Sequence, residues 1–319
     1  MRLSCALIPR PGIEELALHA EALGYEAVWF PDSPALYGDV WMALATTAQA
    51  TERIGLGTSV LIPNLRHPAV TAAAIAHLEG LAPGRVRIAL GTGFTGRRCF
   101  GQRPLRWAEM ETLLRQIRGL LRGETVEVDR KAVKLIHPAS VSRLPVETPL
   151  LVAANGPKGL AVARALADGL VCAGAVPEGG RDASVLTMGT VLQPGETLES
   201  ERVLDAIGPA LAVVHHGAYE SMGAGVDGLP GGAGWRAEIE AFPEAERHIH
   251  VHEGHLVELT DRDRRNLAPE LAGTTFTGTV AELRERANAM EAQGAAEIVY
   301  WPMGDLAGEL ERMAEVFLA

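Results

Sequence analysis

Four stretches carry groups that could do chemistry. Asn155-Gly156-Pro157-Lys158-Gly159 closes an apolar run and opens a helical one. Free amides at such a helix start point outward, and the helix dipole favours an anion there. Lys158 adds a point charge, so the stretch reads as a phosphate clamp or as an ordinary strand-to-helix turn. Gly91-Thr92-Gly93-Phe94-Thr95-Gly96 has the glycine spacing of a dinucleotide fingerprint after a strand. The match is weak, because Arg97–Pro104 reads as loop and no acidic residue ends a second strand at the required distance. These glycines are read instead as letting the loop pass beneath a cofactor. Arg97, Arg98, Arg103 and Arg106 crowd a segment that has no acidic residue between Gly91 and Trp107. They suit a phosphate, an acidic cofactor tail or a substrate carboxylate, and equally a solvated face. His248, His250, His252 and His255 form H-x-H-x-H-x-x-H. On a strand the first three would share a face, and imidazole suits zinc, copper or iron. No nearby cysteine or aspartate completes the set, and Glu253 would point the opposite way. No metal is expected, and the histidines are read as solvated or substrate-facing.

The elements that must hold these groups alternate between two periodicities. Ile54–Ile62 is apolar and β-branched and is closed by Pro63-Asn64. An alanine-rich helix follows over 69–81, stopped by Pro83-Gly84, and 86–90 forms the next short strand. Both strands end in small polar residues, Gly57-Thr58-Ser59 and Gly91-Thr92-Gly93, where a parallel sheet holds its ligand. Further buried strands are read at 3–8, 27–30, 150–154, 170–173, 185–192 and 297–301, with helices at 13–23, 40–50, 105–122, 158–167, 280–293 and after the last strand. Period-two alternation over 123–137, around Asp129-Arg130, predicts an inserted hairpin. Eight strands interleaved with helices make an α/β fold of the (β/α)8 TIM barrel type over residues 1–319. Residues 193–275 are too many for one loop and form an insertion before the last strand. A helix is read at 201–220 and a glycine-rich turn at 223–234. The insertion is a mobile lid beside the active site, a static element or a subunit interface.

Composition narrows the class. With 29 basic and 40 acidic residues the net charge is −11, which argues against general nucleic-acid binding and against a basic membrane-surface face. Cys5, Cys99 and Cys172 are isolated and odd in number, so a reducing cytoplasm is the expected location. No run is long enough for a signal-peptide core or a bilayer span.

The stretches GTSVLIPNLRHP, LAPGRV and GTG, with AANGPKGLAVARALADG and the segment 277–304, resemble the luciferase-like monooxygenase superfamily. Within it they are most similar to the branch using the deazaflavin coenzyme F-420. The resemblance implies a cis peptide at Ser59-Val60, in a bulge behind the cofactor ring. It implies a cofactor site at Asp32, Ser59, Val60, Gly91, Thr92, Gly93, Asn155, Gly156, Pro157, Lys158 and Gly159, with phosphate at the last five. Asp32 matches an acid kept near the ring and is the candidate catalytic residue. Many relatives place a histidine directly after that acid and a glutamate after the fourth strand. Ser33 and Phe94 stand there instead, which counts against sugar-phosphate dehydrogenase activity. His67 is expected to fix its loop. The expected activity is hydride transfer between coenzyme F-420 and a small organic substrate, in a homodimer. The alternatives are an FMN-dependent monooxygenase served by a flavin reductase and a non-catalytic flavin-binding protein. Phe94, Trp107 and Leu36 are candidates for an apolar substrate wall.

Overall fold

In a computed structural model that describes residues 1–318, the apolar runs pair side by side as parallel strands. These are β1 (Arg2–Ala6), β2 (Ala27–Phe30), β3 (Gly55–Leu61) and β4 (Val86–Leu90), then, after the hairpin β5 (Val126–Val128) and β6 (Lys131–Val133), the second half of the barrel. That half consists of β7 (Leu150–Ala153), β8 (Gly169–Ala173), β9 (Ala183–Met188) and β10 (Ala295–Trp301). The order β1-β10-β9-β8-β7-β4-β3-β2 closes on itself, which is the (β/α)8 barrel that the sequence pattern implied. The hairpin turns at Asp129 and Arg130, whose φ values of 49° and 61° both lie in the left-handed region, as a tight two-residue turn requires.

Several local readings need correction. No helix joins β8 to β9; Gly174, Pro177, Gly179 and Gly180 punctuate that connection and leave no uninterrupted helical run. Phe94–Arg98, read partly as loop, is a one-turn helix entered from Gly93 at φ 77°. The Arg98 guanidinium lies over the Phe94 ring at 4.7 Å, one turn apart, and holds that turn shut. β9 stops at Met188, and Val191 contributes only an isolated bridge to Gly278. The histidine run is not a strand: Arg247–His250 is helical and turns follow it, so the expected shared strand face does not exist. The insertion is mostly helical, with Glu201–Met222, a 3-10 segment Gly223–Gly228 and Gly232–Glu240. Its own small core joins Trp235, Ile239 and Val251. Among the described residues no helix is long and apolar enough to cross a membrane.

Side chains alternate in and out of the barrel wall. The outward set packs under the helices as the main core, and the inward set is smaller, with Ala6, Ala27 and Ala89 making room for Trp29. A methyl group on Gly57 would collide with the Trp29 ring. Towards the strand starts the interior holds a charge. Glu297 on β10 is fully buried and accepts hydrogen bonds from Ser4, from Trp29 Nε1 at 3.3 Å and from Ser184 at 2.6 Å. Both terminal nitrogens of Arg87 reach it at 3.2 Å. A buried carboxylate is tolerable only with this many donors. Replacing Glu297 with Ala strands the Arg87 charge and two hydroxyls. It should cost ~3 kcal/mol, read as a lower urea midpoint at unchanged slope. An unchanged midpoint would show that the network contributes nothing net.

Candidate active site

A cavity of about 310 Å³ opens at the carboxyl ends of the barrel strands. A larger cleft of about 470 Å³ lies between the helix Glu201–Met222 and residues 257–264. Part of its charged wall is engaged within the fold, Arg202 with Glu196 and with Glu309 at 2.7 Å. The barrel-mouth cavity is different in kind. Val60, Phe94, Val171, Leu186, Leu256 and Trp301 supply apolar walls, and Ser33, Ser59, Tyr37 and Asn155 a polar edge. Among its described lining residues there is no aspartate, glutamate, lysine or arginine.

The β3 end shapes one side. Its register against β4 slips between Thr58 and Leu61, a bulge that re-aims the side chains there. The Ser59-Val60 peptide is cis, as the resemblance implied, and both residues line the cavity. Gly91 is needed beneath them, because a methyl group there would overlap Val60.

The expected site residues divide into those that meet the cavity and those that support it. Ser59, Val60, Gly93 and Asn155 line it. Asn155 is braced by its amide donating to Ala173 O at 3.0 Å. Gly91 and Thr92 do not line it. Gly156, Pro157 and Lys158 are exposed at the start of the helix Pro157–Leu166, next to Asn155. Gly159 is buried against the Trp107 ring, with no room for a side chain, so it serves packing. Of the proposed apolar wall, Phe94 faces the cavity, whereas Trp107 and Leu36 do not line it.

Asp32 follows β2 but is not part of the lining; its neighbours Pro31 and Ser33 are. Its Oδ2 accepts from Arg66 Nη1 at 2.8 Å and from the Ile62 amide at 3.2 Å. Its own amide donates to Val60 O at 3.3 Å. Asp32 therefore ties the end of β2 to the β3 bulge. Burial pushes its carboxyl above the ordinary range, against the pull of Arg66, and Oδ1 has no partner. His67 caps the helix Pro68–Leu81, its Nδ1 accepting from the Ala69 amide at 3.1 Å, which is the loop-fixing role expected of it.

The arginines do not converge as a free group. Arg98 pairs with Glu220 on the insertion, Arg97 Nε donates to Arg103 O at 2.7 Å, and Arg106 pairs with Glu109 at 3.0 Å. Other lining residues gave no signal as site residues in the sequence. Tyr37 donates to His255 O at 2.6 Å, and Trp301 Nε1 donates to Leu256 O at 3.3 Å. Leu256, at φ 56°, sits in left-handed backbone that leucine rarely adopts. These bonds pull the insertion over the barrel mouth. Burial, then the neighbouring His216 and His252, hold His255 well below the usual imidazole range, so it faces the cavity uncharged at neutral pH. Burial pushes the Cys172 thiol up to about 11, so it is no ready nucleophile.

A closed barrel of parallel strands, with a ligand-sized cavity at their carboxyl ends and a helical excursion over it, defines a (β/α)8 barrel protein of the enzyme-like kind. Residues 8–185 match the model of the luciferase-like monooxygenase family, over half of the chain, and the chain belongs to that family. Over 139 residues it is 37% identical to an F-420-dependent glucose-6-phosphate dehydrogenase of Beutenbergia cavernae, covering 40% of each chain. Over 165 residues it is 32% identical to the 5,10-methylenetetrahydromethanopterin reductase of Methanolobus tindarius, covering 50% of this chain and 49% of that one. The chain thus spans about two fifths to half of the length of the curated relatives it matches. Among solved structures, an F-420-dependent secondary alcohol dehydrogenase with an F-420–acetone adduct shares the fold. Its TM-score is 0.70 at 17% identity, over 99% of this chain and 98% of that one.

Removing Arg66 tests the tie at Asp32. An acid whose folded-state pKa is raised by burial weighs against the fold increasingly as pH rises from its unfolded value to the raised one, and fully above it. Below its unfolded value near ~3.9 the penalty vanishes, because both states are protonated. Arg66→Ala should therefore cost ~2 kcal/mol at pH 8 and clearly less at pH 4, by denaturant titration at both. Equal losses at both would mean that Asp32 carries no charge to compensate.

Proposed function

We propose that the chain is an oxidoreductase that binds coenzyme F-420 in the barrel-mouth cavity and exchanges a hydride with a small uncharged organic substrate. The observation that carries this reading is the cavity itself. It is apolar on its walls, bounded at the β3 bulge by Val60, and continuous through Asn155 with an uncapped helix start. At that start no atom stands within 4 Å of where a Gly156 side chain would project, and no side chain caps the helix. Pro157 has no N–H to offer, so the amides of Lys158 and Gly159 are the free donors for a phosphate. The residues present therefore suit a flat ring with a phosphate-bearing arm. Relatives named for F-420 add weight to the choice of ring.

When bound, the deazaflavin supplies the hydride chemistry. The chain's own residues do the rest. Ser59 and Val60 back the ring, and the uncapped helix start holds the phosphate. Tyr37, Leu256 and Trp301 keep water from the reacting face, which sharpens the orientation of both partners. The lining supports an uncharged substrate, since no cation is present to meet a phosphate or carboxylate. Ser33 and Phe94, standing where relatives keep histidine and glutamate, point the same way and away from sugar phosphates. A homodimer and a cytoplasmic location remain part of the proposal, from composition and resemblance alone.

One observation favours FMN with a partner reductase as a second reading. Arg98 and Arg106 are engaged by Glu220 and Glu109, which weakens their claim as a clamp for the acidic tail that F-420 carries and FMN lacks. Competitive titration with both cofactors at low and high ionic strength separates the readings. F-420 should bind more tightly, with modest salt dependence; tight FMN binding without F-420 binding overturns the choice and favours the monooxygenase. Binding without turnover of any neutral carbonyl or alcohol would favour a non-catalytic flavin binder.

Ala153→Phe gives a structural test of where the ring sits. A phenyl ring at this cavity-lining position should weaken cofactor binding on the order of tenfold or more, ~1.4 kcal/mol, with the circular dichroism spectrum unchanged. Undiminished affinity would place the ring elsewhere.

A further inference from the structure

The insertion buries three imidazoles against one another. His216 lies on the helix Glu201–Met222, and His252 and His255 lie in the turns after Arg247–His250. All three are almost wholly buried. His216 Nδ1 stands 3.2 Å from His255 Nδ1, and His252 Nδ1 stands 3.4 Å from the same atom. On their far sides, His216 Nε2 faces Asp263 Oδ1 at 3.6 Å and His252 Nε2 faces Glu220 Oε1 at 3.5 Å. Neither Nε2 has a hydrogen-bond partner of normal geometry.

This arrangement is poor as a hydrogen-bonded cluster. A neutral imidazole carries one proton, and a facing carboxylate draws it to Nε2 in His216 and in His252. Their Nδ1 lone pairs then converge. His255 Nδ1 has one in-plane position and can satisfy one of them but not both. A lone pair left unpaired in a buried site is costly. A cation at the centre satisfies all three nitrogens. Imidazole nitrogens lie about 2.0–2.1 Å from tetrahedral zinc, which sets them about 3.3 Å apart. The two nitrogen separations fall on either side of that value. All three ligand atoms lie within 4.8 Å of one another.

We propose that His216, His252 and His255 bind a divalent transition-metal ion, zinc foremost, through Nδ1, with Asp263 and Glu220 as orienting carboxylates. The set takes two members of the histidine run and leaves two out. His250 Nδ1 bonds Glu253 at 2.9 Å and its ring stacks on Phe242, while His248 packs beside Gly101. The sequence expectation of no metal considered only the run and had no means of adding His216. Three protein ligands leave a tetrahedral position for water or another donor. All three ligands belong to the insertion, so the ion would brace the helix Glu201–Met222 against the 252–255 turn, whose His255 also lines the cavity. The inference does not depend on the identity of the cofactor.

The test uses untagged full-length protein without cofactor. Plasma mass spectrometry after dialysis should find about one zinc per chain, and Co2+ added to chelator-stripped protein should give the visible absorption of a tetrahedral site. His216→Gln and His252→Gln should each lose the ion, and His248→Gln and His250→Gln should keep it. Glu220→Gln should retain the ion with affinity lowered on the order of tenfold. The proposal is overturned if wild-type protein holds no stoichiometric zinc and gives no Co2+ band. It is equally overturned if the His216→Gln/His252→Gln double variant binds like wild type. Should the ligand variants fail to fold, the wild-type zinc content and Co2+ spectrum decide alone.

Discussion

The barrel is organised around one buried charge. Glu297 gathers donors from β1, β2, β4 and β9 while sitting on β10, so a single carboxylate links five strands across the closed interior. Removing such a charge from water is costly unless every lone pair is met, and this requirement dictates its neighbours. Arg87 must lie inside, flat against Trp29 at 5.0 Å. Trp29 in turn needs Gly57 opposite it and alanines around it. The strand-start end of the barrel is thereby filled and polar. The ligand cavity lies at the other end of the interior, at the strand ends.

That open end is then closed from outside by a segment tied down at several points, with Arg202 on Glu309 and with Ala210 and Leu256 in the inner core. Tyr37 and Trp301 donate to the carbonyls of His255 and Leu256, and Arg98 pairs with Glu220. Both carbonyl contacts involve residues that also line the cavity, so the wall and the fastening are the same residues. The sequence left lid and static element open for this insertion. Its own core of Trp235, Ile239 and Val251 makes it a unit, and a lid motion would have to release all of these fastenings together.

What could be read in the sequence is what is local in the chain. Pro83-Gly84 and Asp129-Arg130 announce a helix stop and a hairpin turn by backbone chemistry alone, and the structure has both; Gly57-Thr58-Ser59, expected at a strand end, lies within β3 where its register slips. The cavity residues that were legible, Ser59, Val60, Gly93 and Asn155, sit at that slip or just after a strand. What could not be read depends on residues far apart. Glu297 within AAEIVYW looks like the solvated face of a strand until closure brings Arg87 to it. Arg98 looks like part of a free basic patch until Glu220 arrives from 122 positions away. His216 has no sequence relation to His252 and His255. Asp32 is legible as the residue after β2, but its bond to Arg66, 34 positions on, is not local in the chain.

The placement of Asp32 bears on the charge that the cavity presents to a ligand. Its carboxylate is committed to Arg66 and the Ile62 amide, and Arg66 reaches on to Asp39 at 2.9 Å. One oxygen of Asp32 is thus engaged behind the wall, while Oδ1 stands there without a partner. The surface presented to a ligand is Ser33, Ser59, Val60 and Phe94, uncharged throughout. A phosphate or carboxylate on a substrate entering this lining would lose its hydration without gaining a cation, a penalty of several kcal/mol. An uncharged carbonyl or alcohol would need only the hydroxyls and the Asn155 amide at the edge. The same desolvation that makes Glu297 demand its donors therefore weighs against burying a charged group in this lining at the other end of the barrel.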